Sequence, residues 1–200
     1  MTQPIDFYFE FSSPYGYIAT EIAEETEKRI GRPMTWRPML LGPVFKITGQ
    51  QPLVQVPMKS EYSKHDFVRS ARKHGVPFYY PQKFPINTVA AVRAFYWTQD
   101  HDPEKARPLA KALYRTYFRD GRDISVIETL LEVARSVGID ADALSRALED
   151  PALKERTKRE VDASIAAGVF GSPYFIVDGE PFWGVDRMPM LEDWVKSGGW

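Results

Sequence analysis

An alternation of phenylalanine with polar residues near the N-terminus is the feature that most constrains this sequence. Phe7, Phe9 and Phe11 alternate with acidic or hydroxyl-bearing residues, which is the two-residue period of a strand with one more apolar face. Ser13-Pro14 then predicts the start of a helix, because serine is a preferred N-cap and proline suits the first helical position. The sequence therefore predicts a strand that passes into a helix at Ser13.

The hydroxyl of Ser13 is expected to lie at a site that suits a negatively charged group. The first N–H groups of a helix have no partner inside the helix, and the helix dipole is positive at that end. Such a position lowers the pKa of a thiol. The chain of 200 residues contains no cysteine, which excludes disulfides and thiolate metal sites. Any thiol used at Ser13 must therefore arrive on a ligand.

Composition and charge exclude several other classes of protein. A hydrophobic fraction of 44% and a net charge of −1 are typical of a globular protein without a polyanionic partner. No apolar run approaches the roughly 20 residues that cross a bilayer. Asp6 and Glu10 interrupt the N-terminal region, so we expect no secretory signal and a cytoplasmic location. His65, His74 and His101 are isolated, which argues against a metal site.

The chain after Pro14 predicts a β-α-β arrangement. Residues 14–30 carry apolar side chains at helical spacing, with Glu21 and Glu24 expected on the solvent-facing side. Gly31 is suited to the C-cap. Residues 34–39 predict a second strand.

The middle of the chain is predicted to be largely helical. Residues 42–57 are punctuated by glycine and proline, which favours a loop or a loosely helical crossing. Residues 78–85 are expected to be extended, and Asn87 is expected to cap the helix that follows it. Further helices are predicted over residues 59–74, 106–118, 124–137, 140–148 and 151–167.

The C-terminal end returns to strand patterns. Residues 174–177 are aromatic or β-branched, and Asp178-Gly179 favours a two-residue hairpin turn before a return strand at 181–183. A final helix is predicted over 188–196.

The element order β-α-β … β-β-α predicts an α/β fold with a large helical insertion. We assign the α/β domain to residues 1–40 and 168–200, and the helical insertion domain to residues 41–167.

Three motifs, in order along the chain, resemble those of one family. The family comprises the kappa-class glutathione transferases and the bacterial 2-hydroxychromene-2-carboxylate isomerases, in the DsbA-like branch of the thioredoxin fold. The first motif is its opening strand and cap, the second its F-G-x-P turn with a cis proline, and the third the G-x-D-R stretch before its last helix. In this sequence the three motifs are Asp6–Tyr15, Phe170–Pro173 and Trp183–Met188, with Gly49–Pro52 and Pro57–Lys59 also matching.

The resemblance implies a thioredoxin-like fold that binds glutathione. Ser172 and cis-Pro173 would lie beside Ser13, with the backbone of Ser172 left free at the sheet edge to pair with the tripeptide. The Ser13 hydroxyl would donate a hydrogen bond to the thiolate.

The resemblance also implies contacts for the two ends of glutathione. Asp186 would hold the γ-glutamyl amino group, with the backbone of Val185 nearby, and Lys59 would hold a carboxylate. Gln50 stands where the kappa-class pattern has asparagine, and Val185 where it has serine or asparagine.

The family chemistry implies a second substrate, an aromatic 2-oxo acid formed by opening a chromene ring. Lys46 and Asn87 are our candidates for its polar groups. Candidate walls for its aromatic ring are Phe45, Tyr80, Phe84 and Trp183.

Other interpretations stay open at this stage. The runner-up enzyme is a kappa-like transferase that conjugates electrophiles. A different class is a cysteine-free thioredoxin-fold module that binds peptides at the same edge. Ser13, Asn87 and Asp186 would also be explained as helix caps, and Lys59 as a solvated lysine. The family forms homodimers, so we expect one here.

Overall fold

A mixed four-stranded sheet organises the protein in the computed structural model, which describes residues 3–200. The strand order is β2-β1-β3-β4, with β1 parallel to β2 and antiparallel to β3. The strands are β1 (Ile5–Phe9), β2 (Met34–Pro38), β3 (Tyr174–Val177) and β4 (Glu180–Trp183).

Helices follow β1, β2 and β4 along the chain. The helices are α1 (Pro14–Ile30), α2 (Leu41–Thr48), α3 (Lys59–Lys73), α4 (Val89–His101), α5 (Pro103–Phe118), α6 (Ile127–Ser136), α7 (Ala141–Leu148), α8 (Pro151–Ala166) and α9 (Met188–Ser197). Short 3₁₀ turns cover Leu53–Gln55 and Val185–Arg187. This order confirms the predicted β-α-β … β-β-α fold, and α2–α8 lie between β2 and β3. The assignment of separate domains stays a prediction.

The apolar face of β1 joins the sheet to the helical segment. Phe7 stacks on Phe175 of β3 with ring centroids 4.9 Å apart. Phe9 contacts Phe95 of α4 and Tyr114 of α5, in each case with ring centroids 5.9 Å apart. One strand therefore supplies side chains to the sheet core and to the packing of α4 and α5.

The opposite face of the sheet is covered as well. Tyr8, Tyr174 and Val169 form a second buried cluster with Val44 of α2, and Ile165 of α8 packs against it. Helices on both faces explain why β1 is buried at nearly every position.

A row of ion pairs holds α1 against α5. The pairs are Glu21–Arg115 at 2.7 Å, Glu24–Lys111 at 2.6 Å and Glu27–Arg107 at 3.0 Å. Glu24 lies on the solvent-facing side as expected, with its side chain 45% exposed, whereas the Glu21 side chain is only 15% exposed beside Arg115. Helical spacing identifies the polar face of α1, but it carries no information on which neighbour lies along the edge of that face.

The β3–β4 hairpin confirms its turn signal. Asp178 and Gly179 have φ angles of +54° and +87°, as a two-residue type I′ turn requires. The buried guanidinium of Arg32 donates to both Asp178 carboxylate oxygens, at 2.7 and 2.6 Å, and so ties the turn to the end of α1.

Several boundaries differ from the predictions. Residues 41–48 form a regular helix, because Pro43 lies in the first turn of α2, where its missing N–H has no intrahelical partner to lose. Helix α5 begins at Pro103 rather than at 106, and helix α6 begins at Ile127 rather than at 124. Residues 78–85 belong to no helix or strand. No helix among residues 3–200 is long and apolar enough to span a membrane.

Replacing Phe9 with alanine should destabilise the protein by about 3–5 kcal/mol, because the change leaves a cavity among five aromatic rings. Urea unfolding of the wild type and Phe9→Ala measures the loss. Ile47→Ala is the control, since Ile47 is 69% exposed and its loss should cost about 0.5 kcal/mol or less. Equal losses in the two variants would contradict this role of Phe9.

Candidate active site

Ser13 caps the first helix as predicted. Its backbone is extended (φ −95°, ψ 115°), its side-chain oxygen accepts a hydrogen bond from the Gly16 N–H at 3.0 Å, and Pro14 occupies the first helical position. Ser13 is 7% exposed, so its hydroxyl lies at the edge of the interior.

The hydroxyl of Ser13 also meets the turn before β3. It donates to the carbonyl oxygen of Ser172 at 2.9 Å, and the Ser172–Pro173 peptide bond is cis, as expected. The Ser172 carbonyl is therefore not free in this structure, because it accepts the Ser13 hydroxyl. Ser172 itself precedes Tyr174, the first residue of β3, and the pairing of its backbone with a peptide stays a prediction.

Gly16 allows the first turn of α1 to approach this meeting point. A Cβ atom at Gly16 would lie 2.6 Å from the Tyr114 hydroxyl, 2.8 Å from Oγ of Ser172 and 3.1 Å from Cβ of Ser13. Any side chain there would force these groups apart.

A buried acid, Glu10, lies directly behind Ser13. Glu10 is 6% exposed. One carboxylate oxygen accepts from the Ser12 N–H at 2.8 Å, and the other accepts from the hydroxyl of Thr88. Its carbonyl oxygen accepts from the Ser13 N–H at 2.8 Å and from the Tyr114 hydroxyl at 2.7 Å.

Burial raises the pKa of the Glu10 carboxyl to about 7, although the hydrogen bonds from Thr88 and Ser12 favour the charged form. Among residues 3–200, no lysine, arginine or histidine forms an ion pair with Glu10. The carboxyl is therefore close to the balance between its protonated and charged forms at neutral pH.

Sequence reasoning did not single out Glu10. The alternation in β1 places it with Asp6 and Tyr8 on the second face, but the strand ends at Phe9 and the chain turns inward. The available signal was an acid between the end of a strand and a Ser-Ser-Pro helix start. Tyr114 and Thr88 carried no local signal, because they reach the site only through the tertiary fold.

The segment with Val185 and Asp186 is attached to the same turn. The N–H of Gly184 donates to the carbonyl oxygen of Pro173 at 3.0 Å. Val185 is buried, whereas the Asp186 carboxylate is exposed and pairs with its neighbour Arg187 at 3.1 Å. Gly184 is required because its φ is +107° and a Cβ atom would collide with the Asp186 carboxylate.

Trp183 lies over the same turn from the β4 side. Its indole covers Gly171, where a Cβ atom would collide with the ring. The ring meets Phe170 edge-on, with centroids 4.9 Å apart, and Trp183 remains 53% exposed. A half-exposed indole beside the cis-proline turn suits the wall of a ligand site.

The remaining candidate side chains, those of Lys46, Gln50, Lys59 and Asn87, are exposed. In the part of the chain that the structure describes, none of them forms a hydrogen bond with Ser13. Lys59 is the first residue of α3, about 10 Å along the helix from Asp66.

Asn87 is not the N-cap of α4. That position belongs to Thr88, whose hydroxyl bonds to Glu10 instead of capping. Asn87 accepts from the Val89 N–H at 2.9 Å. The preceding residue, Ile86, donates its N–H to the Ser12 hydroxyl at 3.2 Å, which brings this segment beside the turn that carries Ser13.

An aromatic row leads away from the first turn of α1. Tyr15 bonds through its hydroxyl to Asp66 of α3 and packs on Phe67 with ring centroids 5.1 Å apart. Phe67 meets Phe84 at 6.2 Å, and Phe84 meets Tyr80 at 5.4 Å. The candidate walls Tyr80 and Phe84 are thus connected to the Ser13 region, while Phe45 is half-buried on α2.

Comparison with known proteins assigns the family. Residues 4–196 match the family model of the DSBA-like thioredoxin domain. The chain belongs to the DsbA-like thioredoxin family. It is 32% identical to the 2-hydroxychromene-2-carboxylate isomerase of Sphingobium xenophagum, over 98% of this chain and 99% of that protein. It is 26% identical to glutathione S-transferase kappa 2 of Caenorhabditis elegans, over 96% of this chain and 92% of that protein.

Structural comparison agrees with the family assignment. A solved 2-hydroxychromene-2-carboxylate isomerase superposes with a TM-score of 0.88 at 26% identity, over 98% of this chain and 95% of that one. The resemblance inferred from the three sequence motifs is confirmed. The chain has serine at the start of α1 and contains no cysteine. Disulfide exchange through thiols of its own is therefore excluded.

Replacing Glu10 with glutamine should change how stability depends on pH. The folded-state pKa of about 7 lies above the ordinary value of 4.5, so the folded protein holds a proton that the unfolded chain loses between these values. The contribution of Glu10 to the free energy of unfolding is therefore fully present below about pH 4.5. It falls by about 3 kcal/mol as the pH rises to about 7.

Urea unfolding of wild type and Glu10→Gln at pH 5 and pH 8 measures this difference. The gap in unfolding free energy between the two proteins should move in favour of Glu10→Gln at the higher pH. Glu155→Gln, at an exposed position on α8, should follow the wild type. A pH-independent gap for Glu10→Gln would contradict a neutral buried carboxyl.

Proposed function

We propose that this protein is a glutathione-dependent cis–trans isomerase of the 2-hydroxychromene-2-carboxylate isomerase type. The observation that carries the proposal is the Ser13 hydroxyl, held at the N-terminus of α1 and 2.9 Å from the Ser172 carbonyl before a cis proline. In a chain without cysteine, this position offers a hydroxyl and helix N–H groups to a thiolate brought by a ligand.

The residues around Ser13 fit the chemistry of glutathione. The tripeptide carries peptide groups, a thiol, one amino group and two carboxylates. The Ser172 carbonyl faces the Ser13 hydroxyl and is suited to a peptide N–H. The exposed Asp186 carboxylate suits the amino group, the Val185 backbone lies next to it, and Lys59 suits a carboxylate. Gln50 is proposed as a further contact from the loop after α2.

Ser13 is proposed to change partners when glutathione binds. Its hydroxyl proton points to the Ser172 carbonyl, and rotation about the Cβ–Oγ bond would redirect that proton to the thiolate. The Ser172 carbonyl is then free to accept a peptide N–H of the tripeptide. The helix N-terminus favours the anion throughout.

When bound, glutathione would supply a thiolate nucleophile. Its reversible addition to a conjugated double bond would permit rotation about that bond, without net oxidation or reduction. The protein holds the rest of the substrate. Lys46 and Asn87 are proposed to bind its carboxylate and the oxygen on which negative charge develops. Trp183, Phe45, Tyr80 and Phe84 are proposed to enclose the aromatic ring.

A kappa-like transferase is the second candidate, because the kappa-class relative matches over nearly the whole chain. Both enzymes need the same thiolate site, so they differ only in the second substrate. A homodimer and a cytoplasmic location stay predictions.

Ser13→Ala should lose the bound thiolate but keep the tripeptide. Titration calorimetry is expected to give similar affinities of wild type and Ser13→Ala for S-methylglutathione, whose sulfur does not ionise. With glutathione near neutral pH, ultraviolet absorbance should report a thiolate in the wild type alone, and turnover should fall by about 100-fold or more.

Asp150→Ala is a matched control for the loss of a helix cap. Asp150 caps α8 by accepting from the Ala152 N–H at 2.8 Å, so its loss should reduce stability by about 1 kcal/mol and leave glutathione binding unchanged. If the wild type does not bind glutathione at millimolar concentration, Ser13 is only a cap. The peptide-binding module would then be the better interpretation.

Lys46→Met and Asn87→Ala should raise the KM for 2-hydroxychromene-2-carboxylate by about tenfold each, because each removes one charge-assisted hydrogen bond. Neither variant should change the ionisation of bound glutathione. Lys28→Met, near the end of α1, is the control and should behave as the wild type. If the wild type isomerises nothing and instead forms thioethers with electrophiles, the transferase is the correct function.

A further inference from the structure

The chemistry proposed for glutathione makes no use of the Glu10 carboxyl, although this acid lies directly behind Ser13. Its carboxylate accepts from the Ser12 N–H, the amide that immediately precedes Ser13. Because that hydrogen bond is 2.8 Å long and neighbouring Cα atoms are 3.8 Å apart, the carboxylate lies within roughly 10 Å of the Ser13 hydroxyl. A thiolate at Ser13 and a charged Glu10 would therefore be close together in a largely buried region.

The groups that face Glu10 supply dipoles but no positive charge. The turn contributes the Ser12 N–H, the start of α4 contributes the Thr88 hydroxyl, and the approach to β3 contributes the Ser172 hydroxyl, which accepts from the Glu10 N–H at 2.9 Å. From α5, Tyr114 and Tyr117 face the same space. Burial raises the pKa of both phenols, so they stay neutral.

Two negative charges at this end of α1 would repel each other with no cation between them. Within the described residues, three cations of α5 are paired with acids of α1 instead, namely Arg107 with Glu27, Lys111 with Glu24 and Arg115 with Glu21. A neutral Glu10 removes the repulsion, and a charged Glu10 opposes ionisation of a thiol at Ser13.

We propose that Glu10 is a positioning residue that couples proton uptake to the formation of a thiolate at Ser13. As a thiol at Ser13 loses its proton to solvent, the charged fraction of Glu10 takes up a proton from solvent. The summed charge of the thiol and the carboxyl therefore changes by less than one elementary charge. The same carboxyl, through Ser12 and Thr88, holds the turn on which Ser13 is placed. The inference deepens the proposed glutathione site and rests on it.

The chain offers a direct test that does not use glutathione. Because it contains no cysteine, Ser13→Cys introduces a single thiol at the site, and its ionisation is read from ultraviolet absorbance against pH. The same titration is made in Ser13→Cys combined with Glu10→Gln, Glu10→Asp or Asp6→Asn. Glutamine keeps the hydrogen-bonding shape without the charge, whereas aspartate keeps the charge on a shorter side chain.

Glu10→Gln should increase the ionisation constant of the introduced thiol by about tenfold, which lowers its pKa by about one unit. Glu10→Asp should stay close to the parent value. Asp6→Asn removes a charge from the same strand, but one that is paired with Arg37 at 2.7 Å, and should leave the thiol unchanged.

Two results would overturn the proposal. One is an unchanged thiol pKa in Glu10→Gln, and the other is an equal shift of the thiol pKa in Glu10→Gln and Glu10→Asp, which would reveal a structural effect.

If Glu10→Gln fails to fold, Thr88→Val replaces it. Removal of that hydroxyl favours the neutral carboxyl, so the thiol should again ionise more readily, and an unchanged thiol would also overturn the proposal. The glutathione site is judged separately, by calorimetry on the wild type, so the two failures are distinguishable.

Discussion

The turn from Glu10 to Ser13 depends on hydrogen bonds from distant parts of the chain. Tyr114 of α5 donates to the Glu10 carbonyl, Thr88 donates to the Glu10 carboxylate, and Ser172 accepts from the Glu10 N–H. A buried polar group without a partner costs about 1–3 kcal/mol. The sheet, the start of α4 and the middle of α5 must therefore all be in place before this turn is stable.

Sheet topology explains why the two serines of the site meet. Because β1 and β3 are adjacent and antiparallel, the end of β1 lies beside the start of β3. Ser13 follows β1 and Ser172 precedes β3, so residues 159 positions apart come within hydrogen-bonding distance. The Gly184–Pro173 bond attaches the segment before α9 to the same end of the sheet. The site thus lies where three separate parts of the chain converge.

The sequence predicted the elements whose signals are local. The phenylalanine alternation, the Ser13-Pro14 cap and the Asp178-Gly179 turn each act within a few residues, and each is present as predicted. Helix α2 was obscured by Gly42 and Pro43, because breaker residues are tolerated in a first turn. Motif resemblance, rather than local physics, identified Ser172 and its cis bond.

The long-range features were beyond local reasoning. Nothing near Glu10 reveals that Thr88, 78 residues away, will donate to it, so its inward turn and raised pKa were missed. The acids of α1 show the same limit, since their partners lie on α5. The exposed candidates Lys46, Gln50 and Lys59 come from resemblance alone, and their roles stay proposals.

The contacts of Thr88 and Ile86 bear on how this protein can change over evolution. Both residues belong to the long segment between β2 and β3, yet they donate to Glu10 and Ser12 at the end of the first strand. The helical segment is therefore part of the wall behind Ser13 and not an independent attachment. A recombination that exchanges this segment between relatives must preserve an amide and a hydroxyl at these two positions, or the first strand loses the partners that complete it.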